Sequence, residues 1–107
     1  MPALTVDEML SLSLSISGWM SNEELVWLYD QAKSLHSGQR WIEMGVWRGR
    51  SFVAVAGGLP DGAHLTAIDH WLGSPLERAH SHSEAKLPGR VVLREFCDVL
   101  VRVNEMR

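Results

Sequence analysis

The sequence is poor in the features that define several protein classes. It carries one cysteine, Cys97, among 107 residues, so neither an internal disulfide nor the disulfide framework of small secreted domains is available. The helical, apolar surroundings of Cys97 predict instead a buried thiol in a reducing, cytoplasmic setting. There is no basic surplus: ten Lys and Arg against thirteen Asp and Glu give a net charge of −3. The basic side chains form no stripe to neutralise a phosphate backbone, and nucleic acid is not an expected partner. No apolar run approaches the roughly 20 residues that cross a bilayer, which excludes a membrane role of that kind. The nearest thing to a secretion signal is Met9 to Ile16, but Leu alternates with Ser there, two acids precede it and no basic leader is present. Internal repeats and low-complexity tracts are also missing, and nothing is charge-dense enough to keep the chain unfolded.

What is present reads as one small globular unit. Thr5 and Glu8 have the spacing of a capping box, while Leu10, Leu12, Leu14 and Ile16 alternate with period two; of the two signals a short helix over 5–16 is preferred. Ser21 with Glu24 makes a second capping box. Leu25, Leu28, Tyr29, Ala32 and Leu35 then recur at helical spacing, predicting a helix from Asn22 to His36 that Ser37-Gly38 stops. Trp41 to Met44 reads as a strand, Ser51 to Leu59 as a helix of small residues ended by Pro60-Asp61-Gly62, and His64 to Asp69 as a second strand. A strand, a helix and a strand within about 30 residues has the length of a right-handed βαβ unit with parallel strands. Residues 70–89 are rich in His, Ser, Gly and Pro and read as a loop. Arg90 to Asn104 reads as an amphipathic helix with Val92, Phe96, Val99, Leu100 and Val103 on its apolar face.

The chemistry is concentrated between the first strand and the helix after it, in Glu43-Met44-Gly45-Val46-Trp47-Arg48-Gly49-Arg50-Ser51. Glycines there let a ligand approach the backbone, and the following helix start offers unpaired N–H groups and positive dipole. Asp69 ends the next strand, and the carboxyl ends of adjacent parallel strands line one crevice. An acid at that point can accept hydrogen bonds from ribose hydroxyls.

These residues resemble motif I of the class I S-adenosylmethionine-dependent methyltransferases, an acid followed by spaced glycines, with Trp47 standing where the middle glycine would be. A branch of that superfamily, many of whose members methylate sugars, polysaccharides and natural products, is similar over Trp19 to Trp71. The matching words are Gly-Trp-Met-Ser, Ile-Glu-Met-Gly-Val-Trp-Arg-Gly-Arg-Ser and Ala-Ile-Asp-His-Trp. The resemblance implies a partial Rossmann-like, three-layer α/β fold in a single partial domain over 1–107. Residues 1–38 form its helical lead-in, 39–71 its cofactor-binding βαβ unit and 72–107 a loop and a further helix. It implies S-adenosylmethionine as cofactor and a small-molecule, sugar or natural-product methyl acceptor. Gly45 and Gly49 would let the loop pass the methionine part, with Trp47 between them. Glu43 would orient that loop or receive the amino group, and Ser51 would cap the helix or donate to the carboxylate. Asp69 would bind the ribose, and His70 and Trp71 would lie near the adenine edge.

The family's sheet has seven strands, of which this sequence supplies the first two. The resemblance therefore implies a truncated sheet, no assignable catalytic residue, and either a missing C-terminal half or completion by self-association as a homo-oligomer. A chain so composed is expected to bind the cofactor weakly or not at all and to transfer no methyl group alone. The competing class is a non-catalytic Rossmann-like interaction module that oligomerises through its exposed sheet edge. A nicotinamide enzyme fits less well, because its fingerprint needs Gly-x-Gly-x-x-Gly and only Gly45 and Gly49 are present. The ligand-free reading makes the glycines a tight strand-to-helix turn and Asp69 a turn cap. Four histidines, His64, His70, His80 and His82, invite a zinc site. No cysteine lies near them and the segment reads as loop, so no metal is expected. Arg48 and Arg50 are expected to be solvated, and Trp19, Trp27 and Trp41 to anchor the core or an interface.

Overall fold

The computed structural model describes residues 2–72 and 89–107. These form four helices and a two-stranded parallel sheet in the order α1 (Val6–Leu14), α2 (Asn22–Lys33), β1 (Arg40–Met44), α3 (Arg50–Gly58), β2 (His64–Ile68) and α4 (Gly89–Met106). The architecture is mixed α/β, and residues 73–88, most of the expected loop, lie outside the described set.

Both capping boxes form. The Thr5 hydroxyl accepts from the Glu8 N–H at 3.1 Å while the Glu8 carboxylate accepts from the Thr5 N–H at 2.9 Å. Ser21 and Glu24 make the same reciprocal pair at 3.3 and 3.1 Å. Each box satisfies two N–H groups that a helix start leaves without partners, which is why these two boundaries fall where local sequence puts them. In α1 the period-two pattern yields to the helix: Met9, Leu12, Ser13 and Ile16 are buried, at helical spacing, and Leu14 is exposed. Helix α2 stops at Lys33, short of the expected His36, because Ser34 caps it and its hydroxyl donates back to the Gln31 carbonyl at 2.6 Å.

Helix α3 is the centre of the molecule. Phe52, Val53, Ala54, Val55, Gly57 and Gly58 are all buried, so it is covered nearly all round rather than along one stripe. Its small residues let the neighbours approach closely. Met9 and Leu4 pack over Gly57, and Tyr29 packs over Gly58. The Tyr29 hydroxyl then donates to the Leu4 carbonyl at 2.6 Å, tying α2 to the segment before α1. On the other side Val53, Phe52 and Val46 meet Phe96, Val99 and Val103 of α4.

Strands β1 and β2 pair in register from Arg40↔His64 to Met44↔Ile68. Trp41, Leu65 and Ala67 face the helices and join the core clusters. Ile42, Met44 and Ile68 point the other way and are exposed, Met44 to 77%. The described residues supply helices to one sheet face only, so of the expected three-layer, truncated-sheet fold they show two layers of a mixed α/β arrangement. Parallel strands ordinarily carry cover on both.

One further expectation is corrected. Cys97 is exposed, not buried. It follows Phe96 by one residue, about 100° round the helix from the buried stripe of Val92, Phe96, Val99 and Val103. Of the three tryptophans expected in the core or at an interface, Trp41 is half-buried against the helices, while Trp19 and Trp27 are exposed and so lie outside the core. Among the described residues no helix is long and apolar enough to cross a membrane.

Candidate functional site

The turn from β1 into α3 departs from ordinary backbone at three positions. Gly45, Trp47 and Gly49 have φ of +81°, +50° and +100°. At Gly49 two demands coincide, since a Cβ would be strained by the left-handed backbone and would also lie 2.8 Å from the Phe96 ring. Gly45 needs glycine for its backbone alone, because nothing lies within 4 Å of where a Cβ would sit. Trp47 occupies the left-handed region without that licence, a conformation uncommon for bulky residues and concentrated at functional sites.

Three contacts hold Trp47 there. Its N–H donates to Asp69 Oδ2 at 2.7 Å, its ring stacks on Trp19 with centroids 4.8 Å apart, and the Arg48 guanidinium lies over it at 4.7 Å. Asp69 also accepts from the Trp71 N–H, at 2.8 Å through Oδ1. It lies just past the end of β2 and bridges the loops that leave the two strands, at the same end of the sheet as Gly45, whose N–H donates to the Ile68 carbonyl at 3.0 Å. Burial pushes the Asp69 carboxyl up, but the N–H groups of Trp47, Trp71 and His70 and the nearby His70 ring outweigh it and hold the carboxyl below its ordinary value.

Glu43 is the opposite case. Burial raises its pKa to about 7; a hydrogen bond from Ser51 opposes the rise and the neighbouring Asp69 charge adds to it. Its Oε2 is buried with no hydrogen-bond partner. An acceptor left so carries a desolvation cost that a donor from a ligand would offset.

A cavity of about 220 Å³ opens between this turn and the segment joining α1 to α2. Gly45, Trp47, Gly49 and Ser51 line it from one side, Ser17 to Met20 from the other. Gly49 is the N-cap of α3 and has no side chain to accept from the helix's first N–H groups.

The eight residues singled out from sequence thus divide. Four line the cavity. Glu43 and Asp69 lie beside the turn as its buried acid and its clamp, without lining it. His70 and Trp71 stand apart from the cavity: His70 Nδ1 accepts from the Leu72 N–H at 2.9 Å, and the Trp71 ring tilts against Phe96 at 5.7 Å. Arg48 and Arg50 are not solvated as expected. Arg48 is 9% exposed and pairs with Glu95 at 2.9 Å, while Arg50 is half-buried and bonded to backbone carbonyls of residues 16 and 20. Trp19, expected as a core or interface anchor, is part of the cavity wall; its place beside Gly18 and Met20 was the available signal. Among the described residues no group of His, Cys, Asp and Glu is placed to hold a metal, and His80 and His82 lie outside them. Neither protein-family models nor curated proteins give a match to the chain.

Proposed function

We propose that this chain is the cofactor-facing part of a class I S-adenosylmethionine-dependent methyltransferase with a partial Rossmann-like domain. The observation that carries the reading is the convergence of the Gly45–Ser51 turn and Asp69 at the carboxyl ends of two parallel strands, 2.7 Å apart through the Trp47 N–H. The left-handed backbone of Trp47 supports it further, because the chain keeps the turn that motif I needs despite the missing glycine.

The residues fit one end of the cofactor. About 220 Å³ is below the roughly 300–1,000 Å³ of a complete small-molecule site, so the cavity suits the amino-acid portion and not the whole. The uncapped start of α3 and the Ser51 hydroxyl would receive its carboxylate, the orphaned Oε2 of Glu43 would draw its ammonium toward the turn, and Asp69 would keep the ribose side of the cleft in place. Held there, the cofactor would present an electrophilic methyl group for a sugar or other small-molecule acceptor. No residue is assigned to the transfer step.

A site of this size binds weakly, with Kd of about 0.1–1 mM, some 4–5.5 kcal/mol. At tenfold excess over Kd, linkage stabilises the folded chain by about 1.4 kcal/mol, several degrees of melting temperature for a domain this small. Thermal melts with S-adenosylmethionine and, separately, NAD test this. The cofactor should raise the melting temperature and NAD should not; stabilisation by NAD alone would move the site to the nicotinamide class.

A second reading rests on the exposed apolar sheet face of Ile42, Met44 and Ile68. If the chain is a non-catalytic interaction module, size-exclusion chromatography will show an oligomer that S-adenosylmethionine leaves unchanged.

A further inference from the structure

We infer that Arg50 is a positioning residue of the cleft: it fixes the 16–20 segment as one wall of the cavity and thereby sets the Trp19 ring against Trp47. The ligand named here depends on the methyltransferase reading above, whereas the clamp itself does not.

Arg50 is the first residue of α3, at the rim of the motif turn. Its Nε donates to the Ile16 carbonyl at 2.6 Å and its Nη1 to the Met20 carbonyl at 3.1 Å. One guanidinium therefore spans both ends of the segment between α1 and α2. Its stem fills the middle, because a Cβ on Gly18 would lie 3.1 Å from Arg50 Cδ and 3.2 Å from its Cβ. Ile16 is buried in the core, Met20 packs against the cluster of Met9, Leu25 and Tyr29, and Ser21 is held by its capping box, so the backbone between these anchors rests on what lies beneath it. Beneath it is Arg50.

The consequence falls on Trp19. Its ring is 64% exposed and gains little from burial, yet it stacks on Trp47 at 4.8 Å and lines the cavity. A ring so exposed stays in place because its backbone is held. Both Arg50 bonds are charge-assisted and use the fixed fork of a guanidinium, which a lysine ammonium does not reproduce. Arg50→Lys keeps the charge and removes the simultaneous grip on two carbonyls.

The test compares wild type, Arg50→Lys and, as the reference for a lost stack, Trp19→Ala. It reads amide hydrogen exchange over residues 17–20, the exciton couplet of the stacked indoles in circular dichroism, and titration with S-adenosylmethionine. Arg50→Lys is expected to speed that exchange by about tenfold, to reduce the couplet to the Trp19→Ala level, and to weaken cofactor binding by about tenfold, the scale of one lost charged hydrogen bond. Unchanged exchange and couplet would overturn the clamp. A loosened segment with unchanged cofactor affinity would overturn the positioning role. If wild type binds no cofactor while Arg50→Lys still loosens the segment, the clamp stands and the methyltransferase reading fails. Should Arg50→Lys not fold, Gly18→Val, which leaves the α3 sequence unchanged, presses against the Arg50 stem, pushes the segment off it and carries the same readouts.

Discussion

Replacing Gly49 with alanine is expected to cost about 3 kcal/mol, combining the strain of a side chain in the left-handed region with overpacking against Phe96, each worth roughly 1–3 kcal/mol. The added methyl would lie 2.8 Å from Phe96 Cδ1 and 3.1 Å from Cε1 at a backbone φ of +100°. Phe96 has little room to retreat, since it packs edge-on to Phe52 at 5.1 Å and against Trp71 at 5.7 Å. For a chain of this size the melting temperature should fall by about 10–20 °C. Gly45→Ala is the matched control. Its φ of +81° imposes strain but nothing lies within 4 Å, so it should cost about 1 kcal/mol, the low end of the strain range. Equal losses at the two positions in thermal melts would show that α4 does not pack on the motif turn as described.

The second large effect concerns Glu43. Its carboxyl has a pKa of about 7 in the folded chain, against 4.5 for an ordinary glutamate. Between those values the folded state binds more protons than the unfolded state, so stability from the neutral form is complete below about pH 4.5 and is lost as pH rises through 7. The loss is on the order of 2 kcal/mol after allowing for partial solvation. Glu43→Gln removes the titration. The variant should match wild type near pH 4.5 and exceed it by that amount at pH 8 in urea unfolding, while binding S-adenosylmethionine less well. A difference between the two proteins that does not change with pH would contradict the buried, ionising carboxyl.

Much of the fold was legible because its causes are local. The capping boxes at Thr5 and Ser21 specify two helix starts within four residues each, and the glycine turn with Asp69 beyond it specifies a strand, a helix and a parallel strand. The outer boundaries moved by one to three residues where side chains such as Ser34 capped earlier than periodicity suggested. Less legible was what the site's side chains do, since this depends on residues far apart in the chain. Arg50 meets carbonyls 34 and 30 residues away, and Arg48 meets Glu95. Neither bond has a sequence spacing to betray it, so both arginines read as solvated. Cys97 failed for a related reason: hydrophobicity predicts burial on average, and position around a helix decides it for one residue. The Gly45–Ser51 turn was legible as a strand-to-helix turn, but the sequence did not separate the residues that line the cavity from those that brace it.

The turn after β1 is the proposed cofactor site. The most direct measurement is amide chemical-shift mapping of the chain titrated with millimolar S-adenosylmethionine. Saturable shifts at Gly45, Trp47, Gly49 and Ser51, with smaller ones at Asp69, are the expected result. Shifts absent from this turn, or the same with an equal concentration of NAD, would contradict it.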